Sequence, residues 1–255
     1  MKKNLLIIIL LIPVLVIAQK DTIQSGIYSW QEPTKQSSKN IFSVSLFEGS
    51  VHDMEYLQMS ANIISFSKKK LTERVPADEE QLMIIKSGML AITIKDSDWT
   101  IGPGSIALLI PGEKYLLRSG TESCHYYLMK YRSKLPADAA RGKSSGGSFV
   151  KDWSKIEFKP HDKGGIRNFF ERPTAMCKRF EMHVTTLKKG IKSHDPHTHK
   201  AEEIILVING KTEMQIGDKF YKGHEGSIYY LGSDVLHGIR NDGNENCTYF
   251  AFQFE

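Results

Sequence analysis

The chain has 255 residues, 40% hydrophobic and 25% charged, with 34 basic against 29 acidic side chains. That length allows one large or two small domains, each able to bury a core. The mild positive charge, with lysine clusters at 68–70 and 188–189 that lack interleaved aromatics, argues against nucleic acid as a partner.

In chain order, Lys2 and Lys3 precede an apolar run at 5–18 that ends at Ala18 before Gln19. This is the layout of a secretory signal peptide, shorter than the roughly 20 apolar residues of a spanning helix and interrupted by Pro13. The mature chain is therefore expected to begin near Gln19, in the periplasm or secreted, with no membrane association once residues 1–18 are removed. Three cysteines, Cys124, Cys177 and Cys247, are odd in number and widely spaced, and are read as buried thiols.

Residues 135–148 are small, polar and Gly/Ser-rich, the composition of a linker. The flanking segments are copies of each other. Residues 47–59 resemble 170–182 at an offset of 123, which Trp30/Trp153 and Cys124/Cys247 share; Gly88/Gly210 and the Gly104-Ser105-Ile106/Gly226-Ser227-Ile228 triplets are offset by 122. A near-constant offset indicates two copies of one domain, each with its own core: 19–134 and 149–255. Short β-like runs at 82–85, 106–110, 204–208, 227–231 and 247–254, punctuated by Gly, Asn and Asp, predict an all-β sandwich or barrel.

The second copy concentrates histidine. His197 and His199 share parity on a predicted strand with Glu203, and His237 follows later. Two imidazoles and a carboxylate, with a fourth ligand from another strand, suit a divalent transition metal: Mn, Fe, Ni or Zn. Asn241 shares the parity of His237 and is a candidate pocket residue, as are Tyr229, Tyr249 and Gln253. His52, His125, His161, His183, His194 and His224 are read as ordinary solvated or hydrogen-bonded histidines.

Gly190, His197-x-His199, Glu203 and Gly210, followed by Gly226, His237 and Asn241, resemble the two motifs of the cupin superfamily. Gly232 and Asp234 stand where the family pattern has Pro and Gly, and one extra residue separates Gly190 from His197. The resemblance implies two tandem cupin (double-stranded β-helix, jelly-roll) domains. Carried into the first copy, the ligand register falls on Val75, Ala77, Gln81 and Tyr115, which cannot hold a metal. One metal per chain is expected, in the C-terminal domain alone. Two-domain cupins of this kind include oxalate decarboxylases, similar in ligand set, and ureidoglycine aminohydrolases, similar in keeping metal only in the second domain. Small cupins that linearise unsaturated uronates are a further resemblance. The leading expectation is a non-redox enzyme, isomerase or hydrolase in type, using the metal as Lewis acid on a small oxygen-rich substrate such as a sugar acid or ureido acid. An oxalate-decarboxylase-like or dioxygenase Mn/Fe enzyme and a metal-dependent small-ligand binding protein are the alternatives. The partner expected is a small molecule, with a homodimer as one admissible assembly.

Overall fold

The structure is a computed structural model that describes residues 21–38, 40–120 and 122–255; the expected leader at 1–18 lies outside the described residues. The first half forms β1 (Gly26–Ser29), β2 (Gln36–Ser38), β3 (Ile41–Gly49), β4 (Met54–Ile64), β5 (Leu71–Arg74) and β6 (Glu80–Ser87). It continues with β7 (Leu90–Ile94), β8 (Ser97–Ile101), β9 (Ile106–Leu109), β10 (Lys114–Ser119) and β11 (Cys124–Ser133). A short helix α1 (Ala139–Ser144) leads to β12 (Phe149–Lys151), β13 (Lys159–His161), β14 (Gly164–Arg172), β15 (Phe180–Leu187) and β16 (Glu202–Asn209). The last strands are β17 (Lys211–Ile216), β18 (Lys219–His224), β19 (Ser227–Leu231), β20 (His237–Asn241) and β21 (Cys247–Phe254).

Each half folds as a jelly-roll barrel with a large and a small wall. The first pairs a seven-stranded sheet, β12-β9-β6-β11-β4-β3-β2, with a four-stranded one, β5-β10-β7-β8. The second pairs β1-β19-β16-β21-β15-β14-β13 with β18-β17-β20. The repeat is visible strand for strand: β16 lies 122 residues after β6, and β21 begins 123 after β11. The halves are nevertheless not separate domains. They exchange their leading strands, β1 pairing with β19 of the second half and β12 with β9 of the first.

The buried side chains form three cores. Alternate residues of the large sheets face in opposite directions. Inward residues build one core per barrel, around Ile92 and Leu117 in the first and around Val207 and Met214 in the second. Outward residues of both large sheets meet in a third core, in which Leu82, Met129 and Tyr131 join Ile204, Phe250 and Phe252. Fused in this way, the halves cannot unfold independently without exposing that core.

Two buried glutamates staple the same boundary in a quasi-symmetric manner. Glu80 of β6 accepts hydrogen bonds from Thr174 Oγ1 (2.6 Å), Ala175 N (2.9 Å) and Tyr131 Oη (2.9 Å). Its equivalent Glu202 on β16 accepts from His52 N (2.7 Å) and Tyr230 Oη (2.8 Å), so each half's carboxylate receives donors from the other half's loop. The 135–148 segment is also packed rather than free. Asp138 caps α1, Arg141 donates to the carbonyls of Thr174 (2.6 Å) and Ala175 (3.1 Å), and Gly142 is buried where a Cβ would meet that of Ala175 at 2.8 Å.

The repeated Gly-Ser-Ile triplet has a physical reason. Gly104 and Gly226 have φ of +79° and +86°, and each carries a tryptophan of the exchanged segments, Trp153 and Trp30, against its Cα. Only glycine offers both the conformation and the space. The three cysteines are buried and unpaired, and among the described residues no helix is long and apolar enough to cross a membrane.

Candidate metal centre

The site lies at one end of the second barrel. On β16, Glu203, Ile205 and Val207 face inward; Glu203 sits opposite Leu231 of β19 and Gln253 of β21. His197 and His199 are not on a strand, as their spacing suggested, but in the loop that enters β16. Backbone bonds hold that loop. His197 and His237 exchange N–H···O bonds of 3.0 Å each, and Asp234 N donates to His199 O at 2.8 Å. Asp234 has φ of +58°, a left-handed conformation that glycine favours and aspartate tolerates.

Two imidazoles are oriented by carbonyls. His199 Nδ1 lies 2.8 Å from Ala201 O and His237 Nδ1 2.8 Å from Val235 O. A carbonyl only accepts, so each Nδ1 carries the proton and each Nε2 turns a lone pair toward the interior. The ligand nitrogens of His197, His199 and His237 lie within 4.8 Å of one another. Glu203 Oε2 stands 3.3 Å from His199 Nε2 and 3.1 Å from His237 Nε2. Adjacent ligands about 2.1 Å from one ion sit roughly 3.0–3.4 Å apart, which the two Glu203 distances match.

His237 Nε2 is buried with no hydrogen-bond partner, the Glu203 oxygen beside it being out of line for one. An orphaned buried nitrogen next to a carboxylate is costly unless a cation joins them. Residues His197, His199 and His237 could therefore hold a metal ion, and Glu203 is placed to join them.

The electrostatics agree. Burial pushes the Glu203 carboxyl up, but in the metal-free protein the protonated forms of His199 and His237 beside it outweigh burial and hold the group at about 2. Burial, then the charges of His194, His237 and His199, lower the pKa of His197. The hydrogen bond to Glu203 raises that of His199.

The pocket candidates divide. Gln253 Nε2 lies 3.3 Å from His199 Nε2, at the centre. Asn241 is four residues farther along β20 from His237, and its amide is occupied by Leu187 O, Glu245 O and Gly243 N in the following loop. Tyr229 is buried in the barrel core with its hydroxyl on Thr212 Oγ1 (3.0 Å) and Tyr221 O (3.3 Å). Tyr249 is also buried in that core, and burial raises the pKa of its hydroxyl.

His183, read as an ordinary histidine, and Glu181, which the sequence reading did not single out, belong to the interior. Glu181 pairs in register with Gln253, and His183 with Ala251, which places both on the inner wall beside the site. Glu181 Oε1 lies 3.1 Å from His183 Nδ1, and Arg179 pairs with its other oxygen. The signal was the alternation of Phe180, Met182 and Val184 with Glu181, His183 and Thr185. Such alternation ordinarily means apolar face in and polar face to solvent; here the apolar face meets the other half and the polar face lines the barrel. His194 also approaches, its ring edge-on to His197 with centroids 4.3 Å apart. A groove of about 620 Å³ on the outer face of β17 and β20, lined by Glu213, Gln215, Phe220 and Arg240, extends to His194.

The first barrel closes the equivalent position with hydrogen bonds. Tyr115 Oη donates to Gln81 Oε1 (3.0 Å) and Gln81 Nε2 to Glu79 Oε1 (2.8 Å), while Val75 is fully buried among apolar neighbours.

Residues 183–252 match the family model described as "Cupin domain". Comparison with curated proteins gave no match. Similar solved structures include AerE from Microcystis aeruginosa, 18% identical with a TM-score of 0.64, covering 90% of this chain and 99% of that one. The protein Ylba from E. coli is 12% identical with a TM-score of 0.65, covering 94% and 96%. A point mutant of oxalate decarboxylase from Bacillus subtilis is 11% identical with a TM-score of 0.65, covering 92% and 78%. At these identities the likeness is one of fold.

Proposed function

From the cupin-domain match of residues 183–252 and the jelly-roll fold of both halves, we propose that the chain is an exported metal-dependent enzyme of the cupin superfamily whose second barrel performs non-redox chemistry on a small oxygen-rich substrate such as a sugar acid or ureido acid. His197, His199, Glu203 and His237 would hold one divalent transition metal. The observation that carries this reading is the buried, unpartnered Nε2 of His237 beside an ionised Glu203. When bound, such an ion supplies Lewis acidity, polarising a carbonyl or lowering the pKa of a water.

The surrounding residues have complementary tasks. The exposed edge at His197 is where a substrate enters, since the remaining ligands are half-buried or buried. Ile205, Ala251 and Val207 form the apolar floor that excludes water. Gln253 offers an amide to orient a substrate oxygen. Glu181 and His183, 3.1 Å apart and steadied by Arg179, form a pair able to hold or pass a proton at His183 Nδ1. Export rests on the leader-like residues 1–18.

The test is a panel of sugar acids and ureido acids offered to zinc-loaded protein without oxygen. Turnover that vanishes in the His197→Ala/His199→Ala variant is expected. Stoichiometric oxygen consumption, or activity restored only by Mn or Fe, would replace this reading with a redox one.

A further inference from the structure

The first barrel encloses a cavity of about 300 Å³ that the proposed function leaves unused. A lysine and a glutamate stand on opposite walls of it. On the large wall, β11 turns Tyr126, Leu128 and Lys130 inward, and Lys130 lies in register between Gln81 of β6 and Gln58 of β4. On the small wall, β5 turns Leu71 and Glu73 inward, with Glu73 in register with Tyr115 of β10.

Lys130 and Glu73 both line the cavity and are part-buried. They influence each other: burial raises the pKa of the Glu73 carboxyl, and the charge of Lys130 opposes that rise. Yet they form no ion pair, and among the described residues the Lys130 ammonium has no carboxylate within 4.0 Å and no hydrogen-bond acceptor. A flexible lysine facing an acid across a small cavity ordinarily closes the gap unless the walls hold the two apart. The walls here are rigid, because the Tyr115–Gln81–Glu79 hydrogen bonds tie β10 to β6 without any metal. Of the two acids on the lining, Glu79 already accepts a hydrogen bond from Gln81, which leaves Glu73 as the acid facing Lys130. Arg74 is turned outward with its guanidinium on Gly112 O at 3.2 Å.

We propose that the first barrel is a metal-free binding site for a small zwitterion of the α-amino acid class, its carboxylate on Lys130 and its ammonium on Glu73. A simple anion would satisfy Lys130 but meet Glu73. A simple cation has the converse difficulty, and a neutral polyol leaves both charges without a counter-ion. One molecule bearing both charges matches both walls. The volume is at the lower end of small-molecule sites, which limits the ligand to a small side chain. This site is independent of the metal centre and of the reaction proposed for it.

The experiment is calorimetric titration of the full chain with glycine, L-alanine, L-serine and L-asparagine, with sodium acetate, methylamine and glycerol as single-feature controls. At least one amino acid should bind at one site per chain, more tightly than every control. Lys130→Met and Glu73→Gln should each weaken it about ten-fold or more, and Lys130→Arg should retain it. His197→Ala/His199→Ala should leave this binding intact even though the metal is lost, which separates the two sites. Retention of metal by the Lys130 and Glu73 variants reports that they are folded. No amino acid binding below about 10 mM, equal binding of acetate, or binding unaffected by Lys130→Met would overturn the proposal.

Discussion

Replacing Glu80 by alanine should destabilise the protein far more than the same change at its quasi-equivalent, Glu202. Glu80 carries donors on both oxygens: Thr174 Oγ1, Tyr131 Oη and Ala175 N, with Met176 N at 3.4 Å. Removing the carboxylate strands Ala175 N and the hydroxyls of Tyr131 and Thr174, one donor more than Glu202 would leave, while Met176 N keeps Thr174 Oγ1 as an acceptor at 3.3 Å. Each stranded buried donor costs about 1–3 kcal/mol, offset in part by relief of the burial that raises the Glu80 pKa. A net loss of about 3–5 kcal/mol follows, or roughly 10 °C in Tm for a chain of this size. Glu202 has donors only on Oε1, and its buried Oε2 has no hydrogen-bond partner. Its removal relieves a cost already present, and about 1–2 kcal/mol is expected. Urea denaturation of both variants at pH 7 measures the difference. Equal losses, or a loss below about 1 kcal/mol for Glu80→Ala, would refute the view that these carboxylates staple the halves unequally.

Three further outcomes are expected. In metal-free protein the pKa of His199 is raised above its ordinary 6.5 by Glu203, so the stability this pair contributes is present below 6.5 and lost as pH rises through the raised value. Metal affinity needs neutral imidazoles and rises over that same window, so thermal scans should show the metal-induced gain in Tm widening as pH increases; a gain that narrows would contradict the assigned contacts. Gln253→Leu should keep one metal per chain but lower kcat/KM at least about ten-fold, whereas loss of the metal itself would make Gln253 part of the ligand cage. Intact-mass measurement on native material should show loss of residues 1–18, and a retained Met1 in a membrane fraction would overturn the export proposal.

Much of the fold is legible in the sequence because its two copies are nearly in register. The 122-residue offset of Gly88 and Gly210 carries β6 onto β16, and the alternating aromatics at 247–254 are strand β21. What the sequence hides is decided by tertiary contacts. The exchanged strands β1 and β12 have only four and three residues, too few for periodicity to say which sheet receives them. The 135–148 segment has a linker's composition, but Gly142 and Arg141 find partners that are distant in sequence. At the site, residue type and spacing identify the imidazoles, yet His197 and His199 converge through a loop pinned by His237 and Asp234 rather than through strand parity. Asn241 shares the inward parity of His237 but sits too far along β20, its amide consumed by a loop, since parity gives a side and not a depth. Glu181 and His183 escaped notice because a barrel that holds a polar site inverts the usual meaning of a polar face.

The central claim, a single metal held by the second barrel, is tested most directly by elemental analysis of protein purified without chelator. One divalent transition metal per chain is predicted, falling to near zero in His197→Ala/His199→Ala and unchanged in Gln81→Ala and Tyr115→Phe. Two metals per chain, or one that persists in the double histidine variant, would contradict it.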